Sequence, residues 1–178
     1  VAVQTRHAIL AFLARPPLAA PVLLLLGIVA ANRAWFFADF PIVAIHPDSG
    51  TYYTLAEQLG TTTWPNFGNR PPVYPLFLKG MFALADRVIA VAVAQTLLST
   101  LAGVALVYAT YCWAPFLALP GAFVVGLFLI GFTTLEHDTA MLSESLYASL
   151  LMLSFAGLLV GLRDRRRALP LTLGSTAM

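Results

Sequence analysis

The stretch Val88-Ile89-Ala90-Val91-Ala92-Val93-Ala94-Gln95-Thr96-Leu97-Leu98-Ser99-Thr100-Leu101-Ala102-Gly103-Val104-Ala105-Leu106-Val107-Tyr108-Ala109-Thr110-Tyr111-Cys112 contains no Asp, Glu, Lys or Arg. A bilayer core is crossed by an α-helix of about 20 apolar residues, and this run is long enough to cross it. Runs at roughly 18–37, 114–132 and 142–162 are similarly apolar, with Arg33 and Glu144 as their only charged residues. The chain as a whole is 60% hydrophobic and 10% charged, with a mean hydropathy of +0.83. A soluble domain carries about 25% charged residues. The sequence therefore predicts an all-α, polytopic transmembrane protein with about four spans in a single domain over 1–178, and short interfacial helices in a first outer loop at 38–87.

The polar side chains are arranged around those spans. Arg6 and Arg15 precede the first run, and Arg163, Arg165, Arg166 and Arg167 follow the fourth. Four crossings return both ends to one side, and Lys and Arg collect on the cytoplasmic side. The expected orientation has cytoplasmic N and C ends in a plasma (inner) membrane, with 38–87 and a short loop at 133–141 outside. Seven of the eight acids, Asp39, Asp48, Glu57, Asp86, Glu136, Asp138 and Glu144, fall in or beside those outer segments; only Asp164 lies on the other side. Carboxylates contribute little to topology, so their clustering points to an acidic outer site. The turn Cys112-Trp113-Ala114-Pro115 reads as a tight helical hairpin, with Pro115 in the first turn of the next helix.

Several function classes drop out. The formal charge is only +2, and no basic tract is interleaved with aromatics, so nucleic acid is not the partner. Cys112 is the single cysteine; it can form no internal disulfide and reads as apolar filler at a helix end. Three histidines, His7, His46 and His137, make a poor zinc site. There is no Walker A loop and no dinucleotide fingerprint. Gly121, Gly126, Gly131, Gly157 and Gly161 are read as easing helix packing.

A polar loop stands between the first two runs. It begins His46-Pro47-Asp48-Ser49-Gly50 and ends Asn69-Arg70-Pro71-Pro72-Val73-Tyr74-Pro75. Asp48 or Ser49 can cap a helix over Thr51 to Leu59, ended by Gly60, with Tyr52, Leu55, Ala56 and Leu59 on one face. The segment 71–85, short and carrying Lys79, reads as an interfacial or partly re-entrant helix. A chain built only to span a bilayer needs no such loop, so chemistry or binding is expected there.

Together, Pro47-Asp48-Ser49-Gly50-Thr51-Tyr52-Tyr53 and Arg70-Pro71-Pro72-Val73-Tyr74-Pro75-Leu76-Phe77-Leu78 resemble the first outer loop of the GT-C glycosyltransferases. These polytopic enzymes use polyprenyl-phosphate-linked sugars; they include protein O-mannosyltransferases, aminoarabinose lipid A transferases and RgtA/B/C/D-like enzymes. Arg33 near the end of the first run and Ser143-Glu144-Ser145-Leu146-Tyr147 at the start of the fourth fit the same pattern. The resemblance covers roughly 18–162 and implies the N-terminal part of a larger catalytic membrane domain, in keeping with a chain that starts at Val1 and ends on a new apolar run. It implies a polyprenyl-phosphate sugar donor, a lipid, glycan or protein acceptor, and Asp48 at the reacting centre. Many relatives have a second acid directly after the first; here that place is Ser49.

The remaining site residues are read on the same basis. A carboxylate can take or orient the proton of an acceptor hydroxyl. Arg70 and Lys79 suit the donor phosphate, although both also suit lipid headgroups, as does Arg87. Tyr52, Tyr53, Trp64 and Tyr74 can stack on sugars, or simply sit at the membrane interface. Glu144, one turn into the fourth run, is expected to face a cavity or a partner such as Arg33 or Arg70. Glu136 and Asp138 match an acid-x-acid pattern that holds a divalent cation in oligosaccharyltransferase-type relatives, so Mg2+ or Mn2+ on Asp48, Glu136 and Asp138 is one option and solvated loop charges are the other. The alternative to an enzyme is a non-catalytic lipid or glycan transporter or scaffold subunit. Its only trace is the mid-membrane polar cluster Gln95, Thr96, Ser99 and Thr100.

Overall fold

The computed structural model describes residues 11–12, 15–40, 43, 45–60, 67–68, 70–85 and 88–163. Arg6, His7, Trp64, Asp86, Arg87, Asp164, Arg165, Arg166 and Arg167, used above, lie outside them. The described residues are helical, without strands: α1 (Ala19–Asp39), α2 (Pro47–Gln58), α3 (Val73–Leu84), α4 (Val88–Trp113), a 3-10 turn (Pro115–Leu117), α5 (Ala118–Ile130), α6 (Phe132–Thr139) and α7 (Ser143–Arg163). Three helices, α1, α4 and α7, are long and apolar enough to cross a membrane, and the bent pair from Pro115 to Thr139 makes a fourth if its two parts act as one span.

The packing is that of a membrane bundle. Lipid tails are as apolar as leucine, so spans associate through close approach of small residues rather than through a hydrophobic drive. Ala92, Ala102, Gly103, Ala109, Ala122, Gly126, Ala156, Gly157 and Gly161 are buried, while Leu23, Leu97, Leu101, Phe123, Leu151, Phe155 and Leu162 point outward. A Cβ placed on Gly126 would lie 2.9 Å from Ile28 Cδ1, so this glycine sets the approach of α5 to α1. Hydroxyls in the helices bond to carbonyls four residues back, Thr100 to Thr96, Thr110 to Leu106 and Ser154 to Leu150. The central helix is α4, which packs against α1, α5, α6 and α7 and carries α3 at its start.

The third crossing departs from expectation. A straight span at 114–132 followed by a loop at 133–141 was predicted; instead the helix breaks at Gly131, bends by 60°, and resumes as α6. Gly131 takes φ −57° and ψ 144°, an extended conformation that ends α5, while its carbonyl accepts the Leu135 N–H at 2.9 Å and starts α6. The α6 turn brings His137 and Asp138 back toward the bundle.

The first outer loop folds as two short helices laid on one another. Pro47 occupies the first turn of α2, where its missing N–H costs nothing. The cap is His46, not Asp48 or Ser49: the His46 N–H donates to Ser49 Oγ at 3.0 Å, and the Ser49 N–H donates to the His46 carbonyl at 2.9 Å. The expected face is as read, with Tyr52, Leu55, Ala56 and Leu59 all buried, and Gly60 follows at φ +89°, a left-handed turn suited to glycine. Helix α3, twelve residues long, is too short to span. Tyr52, Ala56, Tyr74 and Leu78 from α2 and α3 join Val91, Met141 and Leu146 in one apolar cluster. Burying a leucine such as Leu78 contributes roughly 1.5–3 kcal/mol, so this layer is held down by water exclusion in a way the spans are not.

Candidate functional site

The start of α2, the end of α6 and the start of α7 meet at one end of the bundle. Between them lies a cavity of about 310 Å³ lined by His46, Pro47, Asp48, Glu136, His137 and Glu144. Three of the sequence-predicted acids, Asp48, Glu136 and Glu144, thus converge on one cleft although 96 positions separate the first from the last (144 − 48). Asp48 sits in the first turn of α2, where the helix dipole favours an anion. Its side chain is half exposed, and its Oδ1 accepts a hydrogen bond from Arg70 NH2 at 2.6 Å.

Arg70 is held from beneath. Its guanidinium lies 5.1 Å from the centre of the Tyr52 ring, with a long contact of 3.5 Å to the Tyr52 hydroxyl. Bonding to Asp48 and then to Tyr52 raises its pKa further, so it remains a cation at any working pH. The Tyr52 hydroxyl in turn bonds to Ser143 Oγ at 2.9 Å, and Ser143 Oγ reaches Glu144 Oε2 at 3.3 Å. A continuous polar chain therefore joins Asp48 to Glu144 across the floor of the cleft. Ser143 was read only as the first residue of the Ser143–Tyr147 run, with no role of its own.

Tyr74 lies deeper still, edge-on to Tyr52 with ring centres 4.9 Å apart. Its hydroxyl donates to Gln95 Oε1 at 2.9 Å, and Gln95 Nε2 donates to the carbonyls of His137 and Ala140. Burial, with the neighbouring Tyr52 and Glu144, raises the Tyr74 phenol above its ordinary pKa and keeps it neutral. Stacking of Tyr52 and Tyr74 on a sugar is therefore corrected: both rings are buried in protein, and they shape the site by supporting Arg70 and pinning the α6–α7 corner. Of the other aromatics, Tyr53 packs edge-on against Phe82, away from the cleft, and is 42% exposed. Lys79 also lies elsewhere, lining a separate groove of about 430 Å³ with Glu57 and Phe82, so it does not join Arg70.

Glu144 is exposed in the first turn of α7, and neither expected arginine is its partner. Arg70 belongs to Asp48, and Arg33 belongs to Asp138, at 2.5 Å. Asp138 is completely buried, with Oδ2 accepting from Arg33 and Ser99 and Oδ1 accepting from Ser145. Glu136 points the other way, 3.4 Å from His46 Nε2. The two acids of the acid-x-acid pattern thus part company, and among the described residues no three His, Cys, Asp or Glu side chains gather to hold a metal ion. The donor set does not fit Mg2+ or Mn2+ on Asp48, Glu136 and Asp138.

Ser49 is buried and bonds to the Met141 carbonyl at 2.9 Å. It ties α2 to the start of α7. Fold and cleft together define a polytopic α-helical membrane protein with a charged site at one end of its bundle. The chain matches no family model, no curated protein and no solved structure.

Proposed function

We propose that this chain is the N-terminal part of a GT-C-type membrane glycosyltransferase that moves a sugar from a polyprenyl-phosphate donor to a lipid, glycan or protein acceptor at the outer membrane face. The observation that carries the reading is the half-exposed Asp48–Arg70 pair at the mouth of a cleft that also holds Glu136 and Glu144. A base and a phosphate-binding cation are the two groups this transfer needs. The donor phosphate competes with Asp48 for Arg70, which makes bidentate contacts to phosphate oxygens. The freed Asp48 carboxylate then takes the proton of the acceptor hydroxyl. The acceptor oxygen bonds to the anomeric carbon, and the bond from that carbon to the phosphate oxygen breaks. The electron pair leaves on the polyprenyl phosphate, whose charge Arg70 stabilises. Glu136 and Glu144 accept hydrogen bonds from the acceptor or the sugar.

A transport route is less well supported. Gln95 is consumed by Tyr74 and two backbone carbonyls, Ser99 by Asp138, and Thr100 by its own helix; the Thr96 hydroxyl has no partner among the described residues but is buried, so one unpaired hydroxyl is all that this cluster offers to a polar path. The test is sugar transfer from a radiolabelled polyprenyl-phosphate donor pool in membranes carrying the full-length protein, wild type against Asp48→Asn at equal expression. General-base loss predicts a fall of roughly 100-fold or more. Unchanged transfer in the variant reduces Asp48 to a partner for Arg70 and sinks the mechanism. No transfer from either protein across a broad set of donors and acceptors favours the non-catalytic reading.

A further inference from the structure

The opposite end of the bundle carries a second built pocket, of about 450 Å³, where the entry to α1, the end of α4, the start of the third crossing and the end of α7 meet. Its polar lining is Arg15, Arg163, Tyr108 and Tyr111, and its floor includes Pro115 and Val160. Among the described residues no carboxylate lines it and neither arginine forms an ion pair. The other end presents Asp48, Glu136 and Glu144, so the molecule has one acidic and one basic mouth.

Three features bear on what the basic mouth takes. It lies where α1, α4 and α7 leave the membrane-crossing length, which is headgroup depth. Two guanidiniums form rigid donor forks that match phosphate oxygens. The surface around it is apolar and outward-facing: Phe12, Trp113, Phe116, Leu117 and Leu162 are all exposed, a surface on which acyl chains can lie. A soluble anion would use the guanidiniums and leave that surface idle. Basic pockets between spans are known to take anionic headgroups.

We propose that this pocket is a binding site for the phosphate headgroup of an anionic membrane phospholipid, held by Arg15 and Arg163. The site is independent of any reaction at the acidic end, and it fixes the register of the bundle in its own leaflet.

The test is native mass spectrometry of the full chain in detergent, titrated with dioleoylphosphatidylglycerol, dioleoylphosphatidylcholine or inorganic phosphate. Wild type is expected to retain phosphatidylglycerol in preference to phosphatidylcholine, and to lose that preference in high salt. In Arg15→Gln/Arg163→Gln the preference is expected to fall roughly thirtyfold, on the scale of two juxtamembrane arginines. Lys79→Gln, in the separate groove beside Glu57 and Phe82, retains it. Equal retention of the two lipids by wild type, or wild-type retention of phosphatidylglycerol by the double variant, overturns the proposal. Displacement of the lipid by inorganic phosphate at comparable concentration assigns the site to a soluble anion and overturns it too. Should the double variant fail to fold, the wild-type headgroup preference and Arg15→Lys/Arg163→Lys decide: the lysines keep charge but lose the fork, so retention between the extremes is expected, and full retention counts against the guanidinium site.

Discussion

Arg33 and Asp138 show how one residue pair can organise five helices. Arg33 comes from α1 and also donates to the Leu129 carbonyl of α5, at 3.2 Å; Asp138 from α6 gathers Ser99 of α4 and Ser145 of α7. A buried ion pair is expensive to assemble, but removing one partner strands a charge and costs about 3–5 kcal/mol. Arg33→Met and Asp138→Leu are each expected to lower the thermal midpoint in detergent sharply, whereas the double variant recovers a large part of the loss. Equal, additive losses would show that the pair is not coupled. The contrast with Asp48–Arg70 is instructive. That pair is exposed to solvent, so solvent screening leaves it little to contribute to folding; Arg70→Gln should leave the midpoint close to wild type while the transfer proposed above is lost. Charge pairs of similar length thus contribute unequally to stability, and burial decides by how much.

At the scale of elements, glycines separate into those that set a distance and those that do not. A Cβ on Gly126 of α5 would meet Ile28 Cδ1 at 2.9 Å and Cγ2 at 3.2 Å, whereas one on Gly27 of α1 would meet nothing within 4 Å. Alanine gains about 1 kcal/mol over glycine in a helix, while overpacking costs about 1–3 kcal/mol. Gly27→Ala is therefore expected to raise the thermal midpoint, Gly126→Ala to lower it, and Ile28→Ala added to Gly126→Ala to recover part of the drop. A midpoint that rises for both glycines would remove the close α1–α5 contact from the account. The sequence read Gly126 as a packing residue but passed over Gly103, whose Cβ would press on Leu129 and Val125; nothing local distinguishes it from any apolar-run glycine. Runs 88–112 and 142–162 were legible because length and hydropathy are local properties, and the buried face of α2 was legible because helical spacing is too. The bend at Gly131 was not, since a glycine after Ile130 continues a helix or breaks it according to what the next turn finds to bind. Here the next turn finds Gln95, which holds the His137 and Ala140 carbonyls, and Arg33, which holds Asp138. The Asp48 and Arg70 motifs could be singled out by type, yet the separation of Glu136 from Asp138 depended on partners over a hundred positions away in the case of Arg33.

For the whole molecule, the helices alternate in direction, and that alternation sorts the charges. The end of α6 and the starts of α2 and α7 build the acidic mouth, while Arg15 before α1 and Arg163 at the end of α7 share the basic one. Both ends of the described chain therefore lie at the same pole, as four crossings require. The apolar spans carry no signal of which pole faces the cytoplasm; the preference of arginine for that side gives the expectation that it is the pole of Arg15 and Arg163. The orientation follows as a prediction about access. In a Cys112→Ser background, Thr54→Cys places an exposed thiol on α2 and Leu162→Cys an exposed one near the end of α7. A membrane-impermeant maleimide added to intact cells is expected to label Thr54→Cys and not Leu162→Cys, and permeabilised cells to label both. Labelling of both in intact cells would break the even number of crossings, and the bent Pro115–Thr139 segment would then be a re-entrant hairpin rather than a span. Labelling of Leu162→Cys alone would invert the molecule. The cleft of Asp48, Glu136 and Glu144 would then face the cytoplasm, where soluble nucleotide sugars are at hand, and the case for a lipid-linked donor would lose its physical motive.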